Sequence, residues 1–171
     1  MTESQSEHTE RFRDLIKDIR FAMFTTRQAD GSLRSRPMTT QNDPDDPDGH
    51  HPSLWFFASL TGEPVADLQQ DPAVNVAYAD PGRDSYVSVS GKATIVDDGE
   101  RKKRLWSKFA EAWFPGGPED PDLALIRVQI EQAEYWDVKE SKVTQLFKMV
   151  KANITRERPT DMGAHGRVGL S

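Results

Sequence analysis

The chain has 171 residues, 36% of them hydrophobic and 29% charged, with 22 Lys+Arg against 28 Asp+Glu for a formal charge of −6. One domain with one core suits that length, and the acidic balance argues against general nucleic-acid binding, which needs a clustered positive field. No run of about 18 apolar residues is present to span a membrane, no apolar segment near the N-terminus reads as a secretory signal, and the absence of Cys removes disulfide and thiolate chemistry. A reducing cytoplasm is the expected location.

Phe12, Leu15, Ile16 and Ile19 are spaced along one face of a helix. The period then changes to that of strands. Phe21 to Thr26 reads as a strand, Ala29 to Ser32 as a turn, and Leu33 to Gln41 as the returning arm of a hairpin. Asn42 to Pro52, rich in Pro, Asp and Gly, reads as an exposed loop. Ser53 to Ala58 is a short apolar strand, and Glu63 to Gln70 a short helix with Pro64 in its first turn. Ala73 to Ala79 alternates as a strand, Asp80 to Gly82 turns, and Tyr86 to Ile95 forms a long strand with Gly91 at a bulge position.

Gly99 to Trp113 returns to helical spacing, with Leu105, Trp106, Phe109, Ala110 and Trp113 on one face. Phe114 to Pro121 is irregular. Ala124 to Ile130 alternates as a strand, and Ala133 to Asp137 reads as a further short one. Ser141 to Lys151 is weakly helical, and residues 153–171 form a polar, extended tail. The sum is one α+β domain over residues 1–171, with six or seven largely antiparallel strands and three helices. Such strands close into a barrel or stack as a sandwich.

Two segments carry chemistry by their spacing. Arg34 and Arg36 sit two apart on a strand, so both guanidiniums leave the same face about 6.6–6.8 Å apart, which suits a phosphate or carboxylate held by planar forks. Two arginines on a solvated face have the same pattern. Pro37 cannot donate to a ladder, so the strand is an edge or bulged there and leaves backbone groups for a ligand. The second segment runs from Trp55 to Gly62, an apolar strand opening into Ser59-Leu60-Thr61-Gly62 before a helix. Unpaired N–H groups at such a turn favour anions, although an ordinary strand–loop–helix connection looks alike.

The remaining signals are weaker. His50 and His51 are adjacent, so their rings diverge on an extended chain, and the Asp43–Gly49 loop does not fit the calcium-loop register; no metal site is expected. No Gly-rich phosphate loop or nucleophile elbow is present. Trp113-Phe114-Pro115 and Tyr135-Trp136 offer flat rings to a planar ligand, to the core or to a subunit interface.

The order of these pieces is more specific than any one of them. Ser-Arg-Pro-Met, Leu-Trp-Phe-Phe, Asp-Pro-x-Val-Asn-Val-x-Tyr, Tyr-Val-Ser-Val-Ser-Gly, Trp-Phe-Pro-x-Gly and Ala-Glu-Tyr-Trp-Asp follow one another from Ser35 to Asp137 and resemble the general stress protein family. Its members are flavin-binding split barrels of the pyridoxamine 5'-phosphate oxidase-like superfamily. The resemblance runs from about Phe12 to the end, including Val150-Lys-Ala152 and Gly163 to Gly166.

It implies a mainly β, six-stranded antiparallel split barrel with flanking helices, a homodimer, and FMN in a cleft between subunits, with FAD or a deazaflavin as alternative cofactors. A small barrel leaves large aromatics outside, where a partner's surface would bury them. By resemblance Arg36 lies along the ribityl phosphate, with Arg34 assisting. Ser35, Pro37, Met38 and Gln41 lie near the ring, and Phe57 and Ala58 end the next strand. Ser59, Thr61 and Gly62 form the phosphate loop, and Trp113 flanks the cofactor.

The pattern departs at that loop, where relatives carry Ser and Lys and this chain carries Gly62 and Pro64 with Glu63 between. A charge-assisted hydrogen bond contributes about 1.5–3 kcal/mol, so losing one predicts weaker phosphate binding by tens- to a hundredfold. The implied function is a flavin-binding dimer acting on a small redox substrate as an oxidoreductase. The rival reading is a stress-related binding dimer that has lost tight flavin binding.

Overall fold

A computed structural model describes residues 5–41, 43, 53–137 and 164–169. Helix α1 (Gln5–Ile16) precedes strands β1 (Phe21–Arg27), β2 (Leu33–Gln41) and β3 (Ser53–Ser59); α2 (Glu63–Gln70) leads into β4 (Ala73–Asp80) and β5 (Ser85–Val96). Helices α3 (Gly99–Leu105) and α4 (Lys108–Glu111) and a 3-10 turn (Gly117–Glu119) connect to β6 (Leu123–Asp137), and β7 (Ala164–Gly169) follows.

The strand order β3-β2-β1-β4-β5-β6-β7 is antiparallel throughout, and β3 also pairs with β6 from Ser53↔Gln129 to Ser59↔Leu123. That pairing closes six strands into a barrel. Strand β7 continues beyond β3 along the same edge of β6, pairing Gln132–Asp137 with Gly169–Ala164. The interior takes alternate residues: Ala22 and Phe24 from β1, Val74, Val76 and Tyr78 from β4, and Val87 and Val89 from β5. Phe24 and Phe56 meet edge-to-face with centroids 5.1 Å apart at its centre.

Helix α1 sends Phe12 and Ile16 into this core where β5 begins and β6 ends, while α2 sends Val65 and Leu68 in where β1 ends. Each such large side chain, fully buried, adds about 1.5–3 kcal/mol.

Strand β6 corrects the expectation of two separate strands. It runs unbroken, but its register against β5 jumps from Ser90↔Gln132 to Gly91↔Ile130, which leaves Glu131 as an extra residue. The inward set therefore switches from Ile126, Val128 and Ile130 to Ala133 and Tyr135. A parity switch inside one strand reads as a gap in a simple alternation. The irregularity expected at Gly91 is present, and a Cβ there would collide with the Gln129 carbonyl oxygen.

The single helix expected over residues 99–113 is two helices. Trp106 is extended, and Ser107 caps α4 by accepting from the Ala110 N–H, so the backbone restarts rather than continues. The proposed one-face set is divided accordingly: Leu105 packs with Trp55 and Leu125, and Ala110 belongs to the next segment. The expected helix over 141–151, most of the 42–52 loop and the 150–152 and Gly163 motifs lie outside the described residues. Of the expected extended tail, 164–169 is the strand β7.

Candidate functional site

The barrel is split between β2 and β3. Along this seam only Thr40↔Phe56 and Gln41↔Trp55 are paired, so β2 from Leu33 to Thr39 and β3 from Phe57 to Ser59 face each other without a ladder. Pro37 lies in the open stretch, as its missing N–H requires.

A cavity of about 290 Å³ occupies the outside of this seam. Its floor is Pro37, Met38, Thr39 and Gln41 of β2 facing Phe57, Ala58 and Ser59 of β3. Phe21, paired with Thr39 across β1 and β2, forms one wall, and α4 with the turn after it supplies Phe109, Ala110, Trp113 and Phe114. Arg20 lays its guanidinium over Phe109 at 3.9 Å and over Phe21 at 5.2 Å from the ring centroids. Trp113 is 73% exposed, so the cavity is open on that side.

Of the residues singled out by sequence, Pro37, Met38, Gln41, Phe57, Ala58, Ser59 and Trp113 line this cavity, whereas Arg34, Ser35, Arg36, Thr61 and Gly62 do not. The two arginines do share a face of β2, but it is the face opposite Pro37, Thr39 and Gln41. There they meet α2. Arg34 Nη1 lies 2.5 Å from Glu63 Oε2. Arg36 donates to Thr26 Oγ1 at 2.8 Å and to Asp67 Oδ2 at 3.3 Å, and Thr26 donates to the same Asp67 oxygen at 2.7 Å. With Arg36 and Asp67 at 15% and 11% side-chain exposure, this is a largely buried ion pair. Ser35 pairs across the hairpin with Thr25 at 2.6 Å.

The Ser59–Gly62 turn is also satisfied within the chain. Ser59 Oγ donates to Asp122 Oδ2 at 2.7 Å, and Thr61 offers its hydroxyl at 3.2 Å and its N–H at 3.3 Å to Asp122 Oδ1. The Leu60 N–H donates to the Asp122 carbonyl at 2.7 Å. These bonds, led by the Ser59 hydroxyl, hold the Asp122 carboxyl below its ordinary range. Gly62 caps α2 without a side-chain bond, and Glu63 in the first turn supplies the negative charge that a helix start favours.

Phe114, offered by sequence as a flat ring beside Trp113, also lines the cavity; Phe21, Thr39, Phe109 and Ala110 complete it and were not singled out as site residues. A signal existed for Phe21: with Ala22 and Phe24 inside, strand alternation turns it outward, an exposed Phe beside Thr39. No comparable signal marked Phe109, because its placement depends on the break at Ser107.

A family model described as pyridoxamine 5'-phosphate oxidase like matches residues 7–160. The chain belongs to that family. It is 35% identical over 101 residues to general stress protein 26 of Bacillus subtilis, covering 56% of this chain and 71% of that one. It is 31% identical over 128 residues to protein bli-3 of Neurospora crassa, covering 68% of this chain but spanning only 58% of that protein. The crystal structure of the general stress FMN/FAD binding protein from Xanthomonas citri superposes with a TM-score of 0.67 at 33% identity, covering 80% of this chain and 92% of that one. Among the described residues, no helix of this family member is long and apolar enough to cross a membrane.

Proposed function

We propose that the chain is a flavin-binding protein that holds the isoalloxazine ring in the β2–β3 seam. The carrying observation is the open seam itself: Pro37–Thr39 and Phe57–Ser59 turn toward each other edges that share no ladder, beneath a wall of Phe21, Phe109 and Trp113. Flat rings bury a flat ligand with little entropy loss, and backbone groups along a split edge meet the polar rim of a heterocycle. The Xanthomonas relative, described as FMN/FAD binding, supports the same class of ligand.

A bound flavin supplies two-electron redox chemistry. The chain's own part is to seat the ring, to exclude water through Phe57 and the α4 aromatics, and to present Thr39, Gln41 and Ser59 as polar neighbours. This arrangement fits an oxidoreductase of a small substrate, working in the cytoplasm. No side chain is required as a nucleophile.

The active form in this reading is a homodimer. Phe21, Met23, Tyr86, Trp113 and Trp136 are each at least 40% exposed, an apolar load that a second copy would bury while closing the open side of the cavity. Light scattering at micromolar concentration is expected to give twice the chain mass, and a clean monomer would remove the intersubunit cleft.

The test of the flavin reading is a visible spectrum of purified protein, followed by titration of stripped protein with riboflavin, FMN and FAD. Saturable binding of at least one is expected, with a shifted flavin band. A colourless protein that binds none of them would leave the rival reading, a dimer without flavin.

A further inference from the structure

We infer that this site is shut to a terminal phosphate by the chain's own carboxylates, so that it selects flavins by the ring and barely distinguishes riboflavin from FMN. The inference rests on the flavin reading above and concerns what that site recognises.

The ring end and the tail end behave differently toward a ligand. The seam fits a flavin ring: its walls are aromatic, and its polar edge is unladdered backbone. The tail end does not fit a phosphate dianion, because each side-chain donor expected there already holds an anion and the Gly62 N–H is taken by the Ser59 carbonyl. Glu63 lies on Arg34, Asp67 on Arg36, and Asp122 on the Ser59 and Thr61 hydroxyls and the Thr61 N–H.

A phosphate entering this end would need to displace a carboxylate that stays tethered nearby, and like charges would then face each other. Its affinity would be reduced both by the lost internal bonds and by that repulsion. The three contacts differ in how firmly they are held. Arg34 and Glu63 are about half exposed, at 49% and 61%, so their pair is screened and replaceable. Arg36 and Asp67 are withdrawn from water and tied through Thr26, so Arg36 is committed to the barrel.

Asp122 decides the matter. It is fixed at the head of β6, two residues from the Asp120 side chain that accepts its N–H at 2.9 Å, and it fills the mouth of the Ser59–Thr61 turn. Its carboxylate stands where an anionic ligand group would otherwise take the same donors. Pro64, in place of a cation, offers it no countercharge.

The experiment compares wild type, Asp122→Asn, Glu63→Gln and the double variant. Riboflavin and FMN are titrated into each by calorimetry, and inorganic phosphate is titrated while the Ser59, Thr61 and Gly62 amide resonances are followed. Wild type is expected to bind riboflavin and FMN within about threefold of each other. The double variant should tighten FMN about tenfold while leaving riboflavin unchanged, and phosphate should move the three amides only in variants lacking Asp122.

A tenfold or greater preference of wild type for FMN would overturn the inference, as would an FMN-to-riboflavin ratio unmoved in the double variant. If no variant binds any flavin, the flavin reading fails by itself. The phosphate arm still decides the inference in that case: phosphate binding to the wild-type turn refutes it, and binding gained only on carboxylate removal upholds it. Asp122→Asn retains an acceptor for Ser59, so the turn should survive. Should that variant melt early, Glu63→Gln with Asp122→Ser gives the same comparison without the amide.

Discussion

The two ends of the candidate site sit on adjacent stretches of the same strands and are built on opposite terms. At the seam, the β2–β3 ladder stops at Thr40↔Phe56, and aromatic side chains surround the backbone edges that the two strands leave unpaired toward each other. A few residues away, around α2 and the Ser59–Gly62 turn, polar groups are closely matched to Asp67, Glu63 and Asp122. One end is poised for a guest. The other has been completed by the protein. The contrast shows that a motif's residue types do not fix its role: Arg36 is present, but its partner is a carboxylate of its own chain.

The largest expected effect breaks the closed end. Arg36→Ala would leave Asp67 without its cation in a largely buried place, and losing one member of such a pair costs about 3 kcal/mol or more. Chemical denaturation should show that loss in the absence of any ligand. A variant as stable as wild type that loses only FMN affinity would return Arg36 to the phosphate.

The open end should respond to loss of its rings. Phe57→Ala and Trp113→Ala are each expected to weaken riboflavin, FMN and FAD alike, by about tenfold if an aromatic contact contributes about 1.4 kcal/mol. Fluorescence titration checks this. Selective loss of FMN alone would place the ring elsewhere.

Rebuilding the closed end sharpens the comparison from the other side. Pro64→Lys with Gly62→Ser restores the cationic pattern, but with Asp122 still on the turn donors it should tighten FMN by no more than about threefold, whereas the same pair combined with Asp122→Asn should gain about tenfold, shrinking as salt rises. A Cβ at Gly62 would lie 3.0 Å from the Ser59 carbonyl oxygen, so the turn must yield slightly and the melting temperature is followed alongside. A tenfold gain with Asp122 in place, in a normally folded variant, would mean that the missing lysine, rather than Asp122, governs the turn.

The smallest effect is in pH. Asp122 has a folded-state pKa lowered chiefly by the Ser59 hydroxyl, so its contribution to stability is complete above the ordinary carboxylate range, near pH 4, and is lost as pH falls through the lowered value. Acid unfolding of wild type should therefore include a component that Asp122→Asn lacks.

Much of this fold was legible in the chain because its strands alternate cleanly. Val74, Val76 and Tyr78, or Ala22 and Phe24, announce an inward face wherever they sit in the sequence. The extra residue at Glu131 was not legible, since a parity switch in β6 is visible only against its partner β5. Half of the cavity was likewise readable: Pro37 marks an unladdered edge, and Phe57 ends an apolar run. The partners of Arg34 and Arg36 were not, because Glu63 and Asp67 reach them through the packing of α2 on β1, a contact between segments about thirty residues apart.

The most direct test of the central claim, that the β2–β3 seam seats a flavin ring independently of any phosphate, is a difference-absorbance titration of riboflavin into the stripped wild-type protein. Saturable binding in the micromolar range is predicted, with the long-wavelength flavin band perturbed by the surrounding Phe57 and Trp113 rings. Absence of riboflavin binding, with FMN binding retained, would contradict it.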